Sequence, residues 1–245
     1  MRANLEISFS DKLEVPIQYN YLVQAMILNW LGDEKYQKFI HDKGYKCNNR
    51  SYKMYTFSKL YGKFSVDSKN GTITFFDKVN LIVSSLDARF IQYLASNVIM
   101  EDNLILGKNS VKVNKIETSY NELGNSEKIY TKSPITVYST LQNADKKKTY
   151  YYSPYEEEFN ELIRNNLINK YKALYNKFPQ NDSFDIKLLS TRKPKESVLN
   201  YKGTIIKGWN GEFLIKGSKE LLQIAYDAGL GSKNSQGFGC IELKK

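Results

Sequence analysis

Gly229-Leu230-Gly231-Ser232-Lys233-Asn234-Ser235-Gln236-Gly237-Phe238-Gly239 holds four of the chain's fourteen glycines, spaced Gly-x-Gly, five residues, Gly-x-Gly. Ahead of it Leu221, Leu222, Ile224, Ala225 and Ala228 recur at helical spacing behind Ser218, a residue type that caps helix N-termini. After it Phe238, Cys240, Ile241 and Leu243 read as a short strand. The stretch therefore joins the end of a helix to a strand. A dinucleotide-binding turn runs the other way, from strand to helix with tighter glycine spacing, and there is no Gly-Lys-Ser/Thr ending of a Walker loop. Residues without a Cβ let a backbone come close to another backbone or to a phosphate. A helix cap and a hairpin bulge account for one glycine pair. Two pairs around Lys-Asn-Ser ask for more.

Upstream, the apolar pattern is organised as two similar units. Leu5, Ile7 and Phe9 alternate as a first strand, and Val15-Pro16 turns into a helix expected from about Ile17 to Leu31. Gly32-Asp33 breaks it, and a second helical piece runs to His41 and ends at Gly44. Strands are expected at Lys53–Ser58 and Gly71–Phe76, a helix over Asp87–Met100 and a strand over Val111–Ile116. The polar stretch Ser119–Ser126 reads as a linker. A second round follows. It has a strand at Ile135–Tyr138, a hairpin tip at Lys146-Lys147-Lys148, and a helix from Tyr155 to Tyr175. Strands at Phe184–Leu189 and within Thr204–Ile215, the helix Ser218–Ala228 and the final strand complete it. Strand, helix, strand, strand, helix, strand, twice over, predicts an α+β protein of two tandem ferredoxin-like βαββαβ domains, residues 1–124 and 125–245.

The formal net charge of +10, with nineteen tyrosines, suits a polyanionic partner: cations neutralise phosphates and aromatic faces stack on unpaired bases. A basic soluble protein without such a partner has the same bulk charge. Two cysteines, Cys47 and Cys240, make neither a disulfide framework nor a four-ligand zinc site, and a single histidine argues against a transition-metal centre. No apolar run is long enough to span a bilayer and no signal core opens the chain, so no membrane partner and a cytoplasmic location are expected.

The glycine-rich stretch with its Gly-Phe-Gly ending resembles the C-terminal loop of the CRISPR repeat-processing endoribonucleases of the RAMP superfamily, in which it helps form the RNA-binding surface. The double ferredoxin-like (RAMP/RRM-like) order agrees with that resemblance, which covers most of the chain although specific motifs lie only towards its two ends. In that family a catalytic histidine follows the first domain's helical segment, and a lysine opens a Lys-x-aromatic-Thr-aromatic-Ser strand. Here those positions hold His41 and Lys53-Met54-Tyr55-Thr56-Phe57-Ser58. The resemblance thus implies an endoribonuclease with His41 and Lys53 as catalytic residues and no cofactor. CRISPR repeat RNA is the implied partner, with a second copy of the chain and an effector complex as further options.

RNA carries its own nucleophile, a ribose 2′-hydroxyl, which attacks the adjacent phosphorus to give a 2′,3′-cyclic phosphate and a 5′-hydroxyl. Histidine suits either proton transfer because its unperturbed pKa of ~6.5 lies near working pH. Lys53 can stabilise the phosphorane electrostatically or serve as a phosphate contact. Some relatives place a tyrosine on the first helix. Gln24-Ala25-Met26-Ile27-Leu28-Asn29 puts Leu28 there, and leucine moves no proton. The third group is unassigned, with Tyr45 and Tyr52 near in sequence. For RNA binding the candidates are Gly229, Gly231, Lys233, Gly237 and Gly239 in the loop, and Arg192, Lys193 and Lys195 with Lys202 in a basic hairpin where relatives place RNA contacts. Trp209 and Tyr201 either stack on bases or pack between sheet and helix. Two other readings remain: a noncatalytic RAMP subunit that binds crRNA, and a regulatory module of tandem ferredoxin-like domains.

Overall fold

The computed structural model describes residues 1–101, 103–143, 146–189 and 193–244. The first sheet is built on β1 (Arg2–Pro16), whose alternating Ala3, Leu5 and Ile7 are buried. Pro16 still pairs with Thr72 and Ile17 N–H donates to Gly71, so the first helix starts later than its apolar pattern suggests, as α1 (Asn20–Asn29). Then come α2 (Glu34–Lys38), capped by Asp33, a single π-helical turn (Phe39–Lys43), and the hairpin β2 (Tyr45–Cys47) and β3 (Arg50–Tyr52). Four elements follow: β4 (Tyr55–Phe57), β5 (Tyr61–Asp67), β6 (Thr72–Ser85) and α3 (Ala88–Met100). The Asp87 side chain accepts from Arg89 N–H at the start of α3. The hairpin β7 (Leu104–Leu106) and β8 (Asn109–Ser119) closes the unit. The strand order β4-β6-β1-β8 is that of a ferredoxin-like sheet, with β5 also on β6 and β7 beyond β8.

The second sheet follows the same plan. Its central strand is β9 (Ser126–Thr131), paired to both neighbours, so the strand expected at Ile135–Tyr138 is displaced upstream. Only Ile129 of β9 is buried, so the sequence shows little alternation there, whereas Ile135 forms just an isolated bridge to Trp209. Next are the hairpin β10 (Tyr138–Asn143) and β11 (Lys146–Tyr151), α4 (Glu157–Tyr175) and β12 (Phe184–Leu188). The lysine run opens β11 rather than lying in the turn. The apolar run Thr204–Ile215 supplies strands to two different sheets: β13 (Lys195–Tyr201) and β14 (Thr204–Asn210) form a projecting hairpin, while β15 (Glu212–Gly217) joins β9. Finally α5 (Lys219–Ala228) leads through the glycine-rich loop to β16 (Ile241–Leu243), giving the order β12-β15-β9-β16. Each sheet has its own apolar cluster, centred on Phe75 and Phe90 in one and Phe159 and Phe213 in the other. No helix among the described residues is long and apolar enough to cross a membrane.

The two units meet at the C-terminal end of α5. Its last carbonyls have no intrahelical donors. Arg2, buried, donates to the carbonyls of Tyr226 and Ile241, pairs with Glu242 at 2.8 Å and lies 3.9 Å over the Tyr226 ring. Ser84 Oγ donates to the Tyr226 and Asp227 carbonyls. Both donors come from the first sheet. The next two carbonyls, Ala228 and Gly229, take the ammonium of Lys170 on α4. Cations at a helix C-terminus also complement its dipole.

Candidate active site

His41 lies in the π-helical turn, whose extra residue per turn is a frequent mark of functional sites. Gly44 ends the turn at φ 62°, and a Cβ there would stand 2.6 Å from the Tyr52 carbonyl, so the position needs glycine. Tyr36 before His41 and Tyr45 after it both donate their phenols to Asp87 Oδ2, which also receives Arg89. Burial of this carboxylate opposes its ionisation, but the hydrogen bonds from Arg89, Tyr45 and Tyr36 hold its pKa below the usual range. The turn is thus pinned on both flanks while its centre projects: the His41 side chain is 70% exposed. Nδ1 of His41 lies 2.7 Å from Asp42 Oδ1, and the hydrogen bond lowers the Asp42 pKa. With the carboxylate accepting from Nδ1, Nε2 is left for a ligand. Lys53 Nζ donates to the His41 carbonyl at 2.7 Å, and partial burial lowers its pKa against the pull of Asp42. His41 and Lys53 are therefore neighbours, but they face different hollows. His41 lines a cavity of about 380 Å³ with Leu28, Lys38 and Lys202; Lys53 lines one of about 380 Å³ with Arg50, Tyr52, Lys170 and Lys233.

The glycine-rich loop forms a wall of the Lys53 cavity, and its glycines are not what it presents. Gly229, Gly231, Gly237 and Gly239 are buried. A Cβ on Gly237 would stand 2.6 Å from Asn20 Nδ2 and Phe57 Cε2, and one on Gly239 2.0 Å from the Leu230 carbonyl. The Gly237 and Gly239 N–H groups donate to Asn234 and Pro134 carbonyls within the protein. What the loop turns towards the cavity is the half-buried side chains between them. Of those, Lys233 sits at φ 58° in the left-handed region with its ammonium 5.2 Å over the Tyr138 ring, and burial lowers its pKa.

Lys193 and Lys195 are exposed at the base of the β13–β14 hairpin and line neither cavity; Arg192 falls outside the described residues. Tyr45 is committed to Asp87, whereas the Tyr52 hydroxyl is buried with no partner among the described residues, beside Lys53. Trp209 packs edge-on against Phe159 in the core, and Tyr201 donates its phenol to Gln24 on α1.

Sequence reasoning missed Lys170. It is buried, donates to the Gly229 carbonyl at 2.6 Å and to Asn234 Oδ1 at 2.8 Å, and burial pushes its pKa down to about 7. Asn234 in turn donates from Nδ2 to the Leu230 and Phe238 carbonyls, closing the loop on itself. A signal was present: Lys170 continues the buried stripe of Phe159, Ile163, Asn166 and Leu167 on α4, where a charge is out of place.

Paired ferredoxin-like folds, a glycine-rich loop fastened between them and an exposed histidine beside a lysine define a RAMP-type protein. The family model for CRISPR associated protein Cas6, C-terminal, matches residues 118–243, and the chain belongs to this family. It is 27% identical to CRISPR-associated endoribonuclease Cas6 1 of Methanocaldococcus jannaschii, over 98% of this chain and 92% of that one. It is also 27% identical to the putative CRISPR-associated endoribonuclease-like protein Cas6nc of Pyrococcus horikoshii, over 97% and 96% of the two chains. A solved structure described as a RAMP protein binding different RNA substrates superposes with a TM-score of 0.83 at 26% identity, covering all of both chains.

Proposed function

We propose that the chain is an endoribonuclease that cuts CRISPR repeat RNA by attack of the substrate's own 2′-hydroxyl, with no metal in the chemistry. The observation that carries this is the His41 turn: an exposed imidazole whose Nδ1 is held by Asp42, with the Lys53 ammonium anchored on its carbonyl. In this reading the 2′-oxygen bonds to phosphorus and gives its proton to water. The P–O5′ bond breaks, and the 5′-oxygen takes a proton from the His41 imidazolium. Lys53 and Lys233 hold phosphates from the adjoining cavity. Membership of the Cas6 family and similarity to proteins named endoribonucleases support the activity. Leu28 in the His41 cavity favours the noncatalytic alternative, a protein that binds this RNA without cutting it.

The deciding experiment is gel analysis of a labelled repeat RNA incubated with the protein in EDTA. Cleavage with 2′,3′-cyclic phosphate ends is expected, and a single 2′-deoxy substitution 5′ to the cut should stop it while leaving binding. Binding without cleavage would establish the alternative; cleavage restored only by magnesium would establish a metal mechanism.

A further inference from the structure

The second domain contributes one residue, Lys202, to the lining of the His41 cavity. The tip of the β13–β14 hairpin, Tyr201-Lys202-Gly203-Thr204, reaches across to α1 of the first domain, where Tyr201 donates to Gln24 Oε1. Asn200 N–H donates to Gln18 Oε1 at 3.0 Å, and Asn200 Oδ1 accepts Gly203 N–H at 2.8 Å, which closes the turn. These bonds hold Lys202, at φ 49°, where its side chain lines the cavity with His41 and Leu28.

The cations near this cavity differ in what occupies them. Lys38 lies 3.9 Å from Glu34 on its own helix. The Lys53 ammonium is engaged by the His41 carbonyl and lines the other cavity. Among the described residues Lys202 makes no ion pair and no hydrogen bond, and it is exposed. A hairpin fastened at two points to another domain, presenting an uncommitted ammonium beside the one histidine, is a costly arrangement for a solvated surface lysine, because ordering the turn loses conformational entropy.

We propose that Lys202 is a further catalytic residue, brought to the His41 cavity by the second domain to neutralise the nonbridging oxygens of the scissile phosphate. This rests on the endoribonuclease reading and deepens it. The bonds made and broken are those of that reading: 2′-oxygen to phosphorus formed, phosphorus to 5′-oxygen broken, the proton on the 5′-oxygen supplied by His41. Lys202 exchanges no proton. Its charge meets the extra negative charge of the phosphorane, in a cavity whose lining also holds the uncharged Ala25 and Leu28 of α1. The active site is on this view shared between domains, and the orientation of the hairpin is part of the catalytic apparatus.

The test is single-turnover cleavage of labelled repeat RNA at saturating protein, with affinity measured separately on the 2′-deoxy RNA. Lys202→Gln should lower the saturating rate by ~10²-fold, the usual effect of removing one preorganised partner of a developing oxyanion, while affinity changes far less. Lys202→Arg should restore much of the rate. Tyr201→Phe, which only loosens the tip, should give a smaller loss in rate. Equal melting temperatures for wild type and Lys202→Gln are expected, because the side chain is exposed. The proposal is overturned if Lys202→Gln cuts at the wild-type saturating rate or loses only affinity. If the wild type binds the RNA and never cuts it, the endoribonuclease reading falls and takes this one with it. If the wild type cuts, His41→Ala does not, and Lys202→Gln cuts normally, only the role of Lys202 falls.

Discussion

With Nδ1 of His41 held by Asp42 at 2.7 Å, Nε2 is the nitrogen through which the proposed endoribonuclease would exchange a proton with RNA. Of the two transfers, protonation of the 5′-oxygen is the harder to do without, since an alkoxide leaves poorly, whereas nearby ammonium groups lower the cost of the 2′-alkoxide. His41→Ala is therefore expected to keep RNA binding and to slow cleavage by ~10²–10⁴-fold, the range for one general acid or base. Sulfur in the bridging 5′ position, which departs as a thiolate without a proton, should largely rescue His41→Ala and leave Lys53→Ala impaired. A sulfur substrate cut no faster than the normal one by His41→Ala would make the histidine a base instead. At this scale a resemblance to short motifs singled out His41 and Lys53 as candidates, and the fold sets them side by side. Lys202 was legible only as one basic residue among several, because nothing in its neighbourhood in sequence says that a hairpin of the second domain lands on α1.

Between residue and fold, the glycine-rich loop behaves as an element with its own clasp. Lys170 feeds an ammonium to the Gly229 carbonyl and to Asn234, and Asn234 ties Leu230 to Phe238. Lys170→Met should strand those buried acceptors and cost ~1–3 kcal/mol of stability, read from denaturant midpoints. The pH dependence has a definite sign. Burial pushes Lys170 down to about 7, whereas in the unfolded chain it stays protonated to ~10.4. Between those values the unfolded state binds more protons, so the wild type should gain stability relative to Lys170→Met as pH rises through that window, and lose it again on descent towards 7. A constant difference between the two proteins across that range would mean that the folded lysine keeps its proton. Gly237→Val should lower stability as well as RNA affinity, because the added atoms meet Asn20 and Phe57 of the first domain; unchanged melting with lost RNA affinity would return the glycine to the RNA surface. The helices α3, α4 and α5 follow their apolar periodicity, and Ser218 caps α5 as expected, while Asp87, read as the first helical residue, caps α3 instead. The strand β9 escaped notice because a short central strand carrying a single buried side chain leaves no alternation to read. The hairpin β2–β3 escaped for a related reason: Cys47 and Tyr52 are buried by the second domain's α4, through Asn169 and Ala173, not by their own sheet.

Across the whole molecule the two sheets are tied together by buried polar contacts. Arg2 is 2% exposed and joins β1 to Glu242, Ile241 and Tyr226. Arg2→Ala removes the ion-pair partner of Glu242 and the side-chain donor of the Ile241 carbonyl, while Ser84 still serves Tyr226, so a loss of up to ~3–5 kcal/mol is expected, the range for breaking a buried pair from one side. Equilibrium unfolding followed by tyrosine fluorescence and by circular dichroism should show both halves shifting together; a shift confined to one half would mean that the sheets are thermodynamically independent. The carbonyls at the end of α5 carry a wider implication. The stretch that matches the family model, residues 118–243, contains the helix, its loop and Lys170, but not Arg2 or Ser84, which satisfy the Tyr226 and Asp227 carbonyls. The unit that is recognisable by inheritance is thus smaller than the unit that is complete in its hydrogen bonds. Recombination between relatives at the junction of the two halves would separate a helix from its donors, so the opening residues of the first strand and the last helix have reason to change in concert over evolutionary time, although they stand at opposite ends of the chain.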